Sequence, residues 1–369
     1  KYMFVEGKSS AIALFAHKGG VGKSTLAFDI GYKMQQKGRN IVIIDADPQM
    51  NSTFKILSRN GYTIDVETVD AFLSQDIDQQ ISLVKRNVSK KFYSIYNYLS
   101  SQPVYTDTRI KDTLIPVKDT DRMYLVAGSA LLTKLDAQLL NAIFMGSQFP
   151  FLGNVPRLFK NLLDRLKDYF HRKNENVTIL IDVSPSTNIL NQNILLSSDL
   201  IFLPVNADFH SYTGIRLLFQ FLPQWKETHT YLRGHDVKVL GLALNRYKRT
   251  SNPASNLTSA QNNFYELFIQ IVGSFVKGNE RHIHDSNRDV ESWIFLVQDM
   301  MRFATVCSDE HVSIFEVTSS LCQKRNYEKH KVKSIQDEIY VIVHYFLGLS
   351  IGERPLNARR RLSQRRPIP

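Results

Sequence analysis

Apolar positions along this chain fall into short, dense runs separated by longer stretches with helical spacing. Residues 9–16 (SSAIALFA) form an apolar run that leads into a glycine-rich turn, and a helical pattern follows from Lys23 to about Gln36. Gly38 closes that helix, and residues 40–44 (NIVII) read as a second strand, apolar on both faces. Strand, loop, helix and strand in this order signal a parallel sheet, because parallel neighbours need a long crossover between them. Three more runs read as strands, at 177–181 (VTILI), 200–205 (LIFLPV) and 237–244 (VKVLGLAL), with helical stretches at 155–171 and 212–228 between them. The alternation predicts an α/β fold, a doubly wound, mainly parallel sheet flanked by helices.

The stretch from Asn51 to Asp121 is less regular. Residues 70–91 look helical and polar, 94–99 (SIYNYL) read as a short helix, and 123–126 (MYLV) read as a strand. The segment around 51–121 is therefore expected to be an insertion on the sheet's rim. Residues 245–258, rich in Asn, Ser and Arg, read as a surface loop, and the last third as largely helical, ending with 335–347. No boundary is convincing before Gly352. The expectation is one domain over 1–352 and a basic, flexible tail over 353–369, punctuated by Pro355, Pro367 and Pro369.

Composition narrows the picture. Hydrophobic residues make up 43% and aromatics 11% of the 369 residues, enough for a large core, which excludes a disordered chain. The formal net charge is +11, and Arg359, Arg360, Arg361, Arg365 and Arg366 all lie near the end. An anionic partner, nucleic acid first, is one reading of this surplus; a solvated tail is the other. Cys307 and Cys322 suit neither a disulfide framework nor a zinc pattern, which points to a reducing, cytoplasmic setting. No run reaches the roughly 18 apolar residues needed to span a bilayer. The opening Lys1-Tyr2-Met3-Phe4 is unlike a signal peptide and lacks an initiator Met, so a few residues are expected to precede it.

Candidate chemistry concentrates in His17-Lys18-Gly19-Gly20-Val21-Gly22-Lys23-Ser24-Thr25, between the first strand and the first helix. Three glycines let the backbone curl so that its N–H groups point inward at an oxyanion, and the helix adds its positive dipole end. Lys23 supplies a point charge for the β- and γ-phosphates, and the Ser24 hydroxyl suits Mg²⁺. In the strict pattern a Gly stands where this chain has His17, and a second lysine, Lys18, stands at the loop's mouth.

The run Lys18-Gly19-Gly20-Val21-Gly22-Lys23-Ser24 resembles the deviant Walker A motif of the ParA/MinD superfamily of P-loop ATPases. Two further segments resemble the same family in the same order. Ile43-Ile44-Asp45-Ala46-Asp47-Pro48-Gln49-Met50-Asn51 is similar to its D-x-D-P-Q-G-N motif, with Met50 in place of Gly. Ile179-Leu180-Ile181-Asp182-Val183-Ser184-Pro185-Ser186 is similar to its Walker B strand, with Ser184 in place of Pro. The resemblance implies that Lys18 reaches the phosphates of a partner in an ATP-sandwich homodimer, that Asp47 positions the attacking water, that Asp45 assists at the metal side and that Asp182 holds the Mg²⁺-bound water. Weaker matches are Leu125-Val126-Ala127-Gly128-Ser129 and Pro204-Val205-Asn206-Ala207-Asp208 with Thr213-Gly214-Ile215. Asn245-Arg246 resembles the position that meets the adenine, and an amide offers both donor and acceptor to a base edge. The likeness covers about 9–250.

Branches of the superfamily use the ATP-bound dimer differently, so the fold leaves function open. The tail has one large apolar residue, Leu362, among five arginines, which disfavours stable membrane attachment. The two cysteines lie too late in the chain for a bridging cluster. The ParA branch remains: a weak, partner-stimulated ATP hydrolase, nucleoid-associated, binding DNA non-specifically and answering to a ParB-like or other adaptor. Candidate DNA contacts are Lys248, Arg249, Lys277, Arg281 and Arg288, with Arg302 and the tail. A protein-docking regulatory switch or scaffold without a DNA role is the alternative. His282, His284 and Asp285 make a weak metal candidate, and the aromatic stretches 144–151, 219–225 and 293–295 read as core or dimer contacts.

Overall fold

The computed structural model describes residues 8–62, 64, 94–100, 107–145, 157–229, 232, 235–247, 258–277, 289–298, 307, 309–318, 321–322 and 329–347. In chain order the elements are β1 (Ser10–Leu14), α1 (Lys23–Gln35), β2 (Asn40–Ala46), α2 (Asn51–Arg59), α3 (Ile95–Ser100), α4 (Asp107–Thr113), β3 (Ile115–Pro116) and β4 (Met123–Val126). They continue with α5 (Leu132–Met145), α6 (Leu158–His171), β5 (Val177–Val183), α7 (Ile189–Ser197), β6 (Leu200–Asn206), α8 (Phe209–Thr228), β7 (Lys238–Tyr247), α9 (Ser259–Val276), β8 (Ile294–Gln298) and α10 (Lys329–Phe346).

The strands form one sheet in the order β3-β4-β2-β5-β1-β6-β7-β8, parallel throughout except for the short β3 at one edge. Every residue of β1, β2 and β5 is buried, which is why these strands read as unbroken apolar runs. Alternate side chains feed two cores. Ala11, Val42, Ile44, Ile179 and Ile181 face the layer of α6 to α9, and Ile12, Leu14, Ile41, Ile43 and Leu180 face α1 and α10. Each such Ile or Leu contributes about 1.5–3 kcal/mol by leaving water.

Two elements depart from the sequence expectation. Residues 294–298 form β8, a strand in the stretch expected to be helical. It lies at the sheet's edge beside a buried Trp293, so its five residues carry no period of their own. In addition, β7 runs on through Asn245 to Tyr247, where a loop was expected, because pairing with Asn206 and Gln298 extends the ladder. Within the segment around 51–121 the structure places α2, α3, α4 and β3, and α3 falls where the short helix was expected. The helix expected at 70–91, the residues around His282 and the basic tail lie outside the described residues.

Candidate functional site at the C-terminal edge of the sheet

Parallel strands deliver their C-terminal ends to one edge, and the motif residues arrive there together. Register places Leu14, Asp45 and Asp182 side by side on β1, β2 and β5, and Asn206 beside Asn245 on β6 and β7. Such an edge is where open α/β sheets bind ligands.

Residues 15–22 connect β1 to α1, and 17–22 form the glycine-rich part. Gly20 and Gly22 have φ of 72° and 87°, a left-handed backbone that side chains resist. Gly22 is the N-cap of α1; no side chain caps the helix and no acidic residue lies in its first turn. The first N–H groups of α1 are thus left to an anion. Gly19 and Gly20 are exposed, whereas Lys23 is only 6% exposed. Burial pushes the Lys23 ammonium below its ordinary range, while Asp182 and Asp47 pull the other way. A buried cation whose charge is felt by two nearby acidic groups has charge to offer an incoming phosphate.

His17 packs against α8, where a Cβ on Gly214 would lie 2.5 Å from the His17 Cβ. The unusual His is accommodated by that Gly across the site. Lys18 lies at the mouth, its side chain 43% exposed, with Nζ 3.1 Å from Asp208 Oδ2. Asp208 also caps α8, accepting from the Ser211 amide at 2.8 Å. Burial opposes ionisation of Asp208, but the Ser211 amide and Lys18 outweigh it and hold the carboxyl below the ordinary range.

The carboxylates differ in what they have left to give. Asp45 is fully buried; its Oδ2 accepts from the Thr53 amide and hydroxyl, both at 2.7 Å, and its Oδ1 from the Asp47 amide at 3.2 Å. It acts as a strut between β2 and the first turn of α2. Asp182 accepts from Ser52 at 2.7 Å through Oδ2, while its buried Oδ1 has no hydrogen-bond partner among the described residues. Burial raises both carboxyls; the neighbouring Asp182 adds to the effect on Asp45, and the hydroxyls of Ser24 and Ser52 oppose it on Asp182. An orphaned carboxylate oxygen beside Ser24 and Lys23 fits a hard cation with oxygen ligands. Asp47, 6% exposed, accepts from the Gln49 amide at 2.9 Å. Met50 holds the left-handed turn for which Gly is the easier residue, with φ 55°, and is buried.

Asn245 donates from Nδ2 to the Val21 carbonyl at 2.7 Å, so it braces the phosphate loop, and its Oδ1 is a buried acceptor without a partner among the described residues. Asn191 braces the other side, its Nδ2 lying 2.9 Å from the Ser184 carbonyl and 2.8 Å from the Ser186 carbonyl. Ser52, Thr53 and Asn191 were not singled out in the sequence, and Asp208 and Gly214 stood there only within a weaker family match; the Asp-x-x-Ser spacing of Asp208 and Ser211 carries a local capping signal. Of the DNA candidates, Lys277 is exposed at the end of α9. Lys248, Arg249, Arg281, Arg288 and Arg302 lie outside the described residues, and those described hold no cluster of His, Cys, Asp and Glu suited to a metal ion.

A family model described as an AAA domain, AAA_31, matches residues 9–233, more than half of the chain. An uncharacterised protein of Methanocaldococcus jannaschii is 25% identical over 240 residues, covering 65% of this chain and 74% of its own. The chromosome partitioning protein ParA of Caulobacter vibrioides is 24% identical over 245 residues, covering 65% and 71%. Among solved structures, an ATP complex of a McdA variant from Cyanothece superposes with a TM-score of 0.58 at 14% identity, covering 94% of this chain and 100% of that one. Motif order, parallel topology and the matched family agree: the chain belongs to the ParA/MinD family of P-loop ATPases, among the ParA-like partition and positioning ATPases.

Proposed function

We propose that this protein is a ParA-like ATPase that binds ATP with Mg²⁺, pairs face to face with a second copy, holds DNA non-specifically in that state and hydrolyses ATP weakly until a ParB-like or other adaptor stimulates it. The observation that supports this most is the pairing of a buried Lys23 with an exposed Lys18 on one glycine loop. One lysine is built into its own site, and the other stands where a facing molecule can be reached.

In this reading the amides of residues 19–25 (Gly19, Gly20, Val21, Gly22, Lys23, Ser24 and Thr25) cradle the phosphates with the Lys23 ammonium. Ser24 and the free Oδ1 of Asp182 hold Mg²⁺, which when bound neutralises phosphate charge and orients the leaving group. Asp47, at the end of β2, accepts the proton of the attacking water. Asp45 serves by fixing α2, since its oxygens are already engaged. Asn245 keeps Oδ1 for the base while Nδ2 holds the loop. Lys18 leaves Asp208 to cross to the partner. The net charge of +11, the arginine tail and Lys277 supply phosphate contacts whose affinity falls steeply with salt.

Chromosome partitioning by the Caulobacter relative and ATP binding by McdA agree with this reading. The test is retention on a random-sequence DNA duplex without nucleotide, with ADP and with ATP–Mg²⁺, at two salt concentrations. Binding only with ATP, weakened by salt, is expected. An ATP-bound dimer that ignores DNA would overturn the DNA role and favour docking to a protein partner.

A further inference from the structure

The segment 309–318 lies beyond the matched family region, yet it ties together the two helices that begin at the phosphate site. Asp29 lies in the middle of α1 and is fully buried. Its Oδ1 accepts from the Ser313 hydroxyl at 2.7 Å and the Ile314 amide at 3.0 Å. Arg59, the last residue of α2, forms a two-pronged pair with Glu316, Nη1–Oε2 at 2.7 Å and Nη2–Oε1 at 2.8 Å. It also donates to the Lys118 carbonyl at 2.8 Å and the His311 carbonyl at 3.1 Å. Glu316 closes the circuit by accepting from the Ser313 amide at 2.7 Å, and Gln336 of α10 donates to the Ile314 carbonyl at 2.8 Å. One continuous network therefore joins α1, α2 and α10.

The network also has an acceptor to spare. Asp29 Oδ2 is buried without a hydrogen-bond partner among the described residues. Lys55 of α2 lies over the ring of the preceding Phe28, its Nζ 4.4 Å from the ring centre, and its charge acts on the Asp29 carboxyl. Packed apolar helices slide by small steps, but a buried polar network is either made or broken, and so it has discrete arrangements. Asp29 accepts from Ser313 of the C-terminal region while the charge of Lys55 on α2 acts on the same carboxyl, so a shift of α1 against α2 changes what holds Asp29.

We propose that Asp29, Arg59, Ser313 and Glu316 are positioning residues that couple the phosphate site to α10, so that ATP bound at the start of α1 changes how firmly the C-terminal helix is held. This rests on the ATP-binding reading above and adds a route by which the site is reported to the C-terminal third, or regulated from it. Coupling of this kind is reciprocal: whatever holds α10 alters ATP affinity by the same factor.

The experiment is hydrogen–deuterium exchange of residues 309–318 and 329–346 in the full chain, with and without ATP–Mg²⁺, alongside ATP affinity from a fluorescent analogue. The variants are Ser313→Ala, Ser313→Thr and Glu316→Gln. In the unaltered protein ATP should change exchange in α10 by at least about fivefold. Ser313→Ala and Glu316→Gln should shrink that difference while ATP still binds, and Ser313→Thr, which keeps the hydroxyl, should restore it. ATP binding with no change in α10, or a full change in Ser313→Ala, overturns the coupling alone. Absence of ATP binding in the unaltered protein overturns the site reading and the coupling together.

Discussion

The start of α1 and its middle are built on opposite principles. At its N-terminus the helix is uncapped, two carboxyamide or carboxylate oxygens (Asn245 Oδ1 and Asp182 Oδ1) are buried without partners, and Lys23 is desolvated. Around Asp29 and the C-terminus of α2, by contrast, four donor contacts of Arg59 are satisfied and a Ser313–Glu316 capping box closes the turn. Buried polar groups that stay unpaired cost about 1–3 kcal/mol each. At the binding edge that cost is retained where a ligand can satisfy the groups, whereas in the scaffold most polar groups are paired and Asp29 Oδ2 alone of the network is left over among the described residues. The contrast separates a binding edge from a scaffold on one helix.

Breaking the scaffold should cost most in stability. Arg59→Ala leaves Glu316 without its partner in a largely buried setting, side-chain exposures being 5% and 19%. The expected loss is about 3 kcal/mol, the low end for removing one partner of a buried pair, read from the urea midpoint. An unchanged midpoint would mean that the network does not hold α2.

Breaking the binding edge should cost function instead. Lys23→Ala removes the buried ammonium of the glycine loop, and if it meets the phosphates as proposed ATP affinity should fall roughly ten- to a hundredfold, as expected for charge-assisted bonds of about 1.5–3 kcal/mol. Stability of the ligand-free protein should not fall with it, because the buried ammonium is itself a cost. Calorimetric titration with ATP–Mg²⁺ checks the first statement and urea unfolding the second.

A third change sharpens the comparison through pH. Burial raises the Asp29 carboxyl above its ordinary value of 3.8, with Lys55 and Ser313 opposing. A group raised in the folded state gives its full stability below the unfolded pKa and loses it as pH rises through the folded one. The unaltered protein should therefore lose stability relative to Asp29→Asn as pH climbs from about 4 towards neutrality. Parallel pH–stability curves for the two proteins would show that Asp29 bears no such cost.

The smallest effect is expected at Lys18. Its pair with Asp208 is partly exposed, at 43% and 30%, so Lys18→Ala should change stability by less than about 1 kcal/mol. If Lys18 serves a partner, the same change should nonetheless remove ATP-driven dimerisation.

How much of this was legible beforehand follows the same division. The central strands announce themselves because burial on both faces leaves them no polar positions, and the motif residues need no further folding rule than parallel strands ending at one edge. Met123–Val126 was legible for the same reason, whereas β8 at the edge was not. The scaffold ties were invisible: Asp29 and Ser313, or Arg59 and Glu316, stand more than 250 positions apart, and no local pattern pairs them. Asp45 shows the intermediate case. Its motif marks it as a site residue, but two of the three donors that engage it come from Thr53 at the start of α2 and are seen only in three dimensions, the third being the nearby Asp47 amide.

The central claim is that the phosphate site is completed by a second copy through Lys18. It is tested most directly by sedimentation of the unaltered protein and Lys18→Ala, each with ATP–Mg²⁺ and with ADP, after ATP binding has been measured for both. The account predicts a dimer only for the unaltered protein with ATP, and a monomer that still binds ATP for Lys18→Ala. A Lys18→Ala protein that dimerises like the unaltered one, or an unaltered protein that binds ATP and stays monomeric, would contradict it.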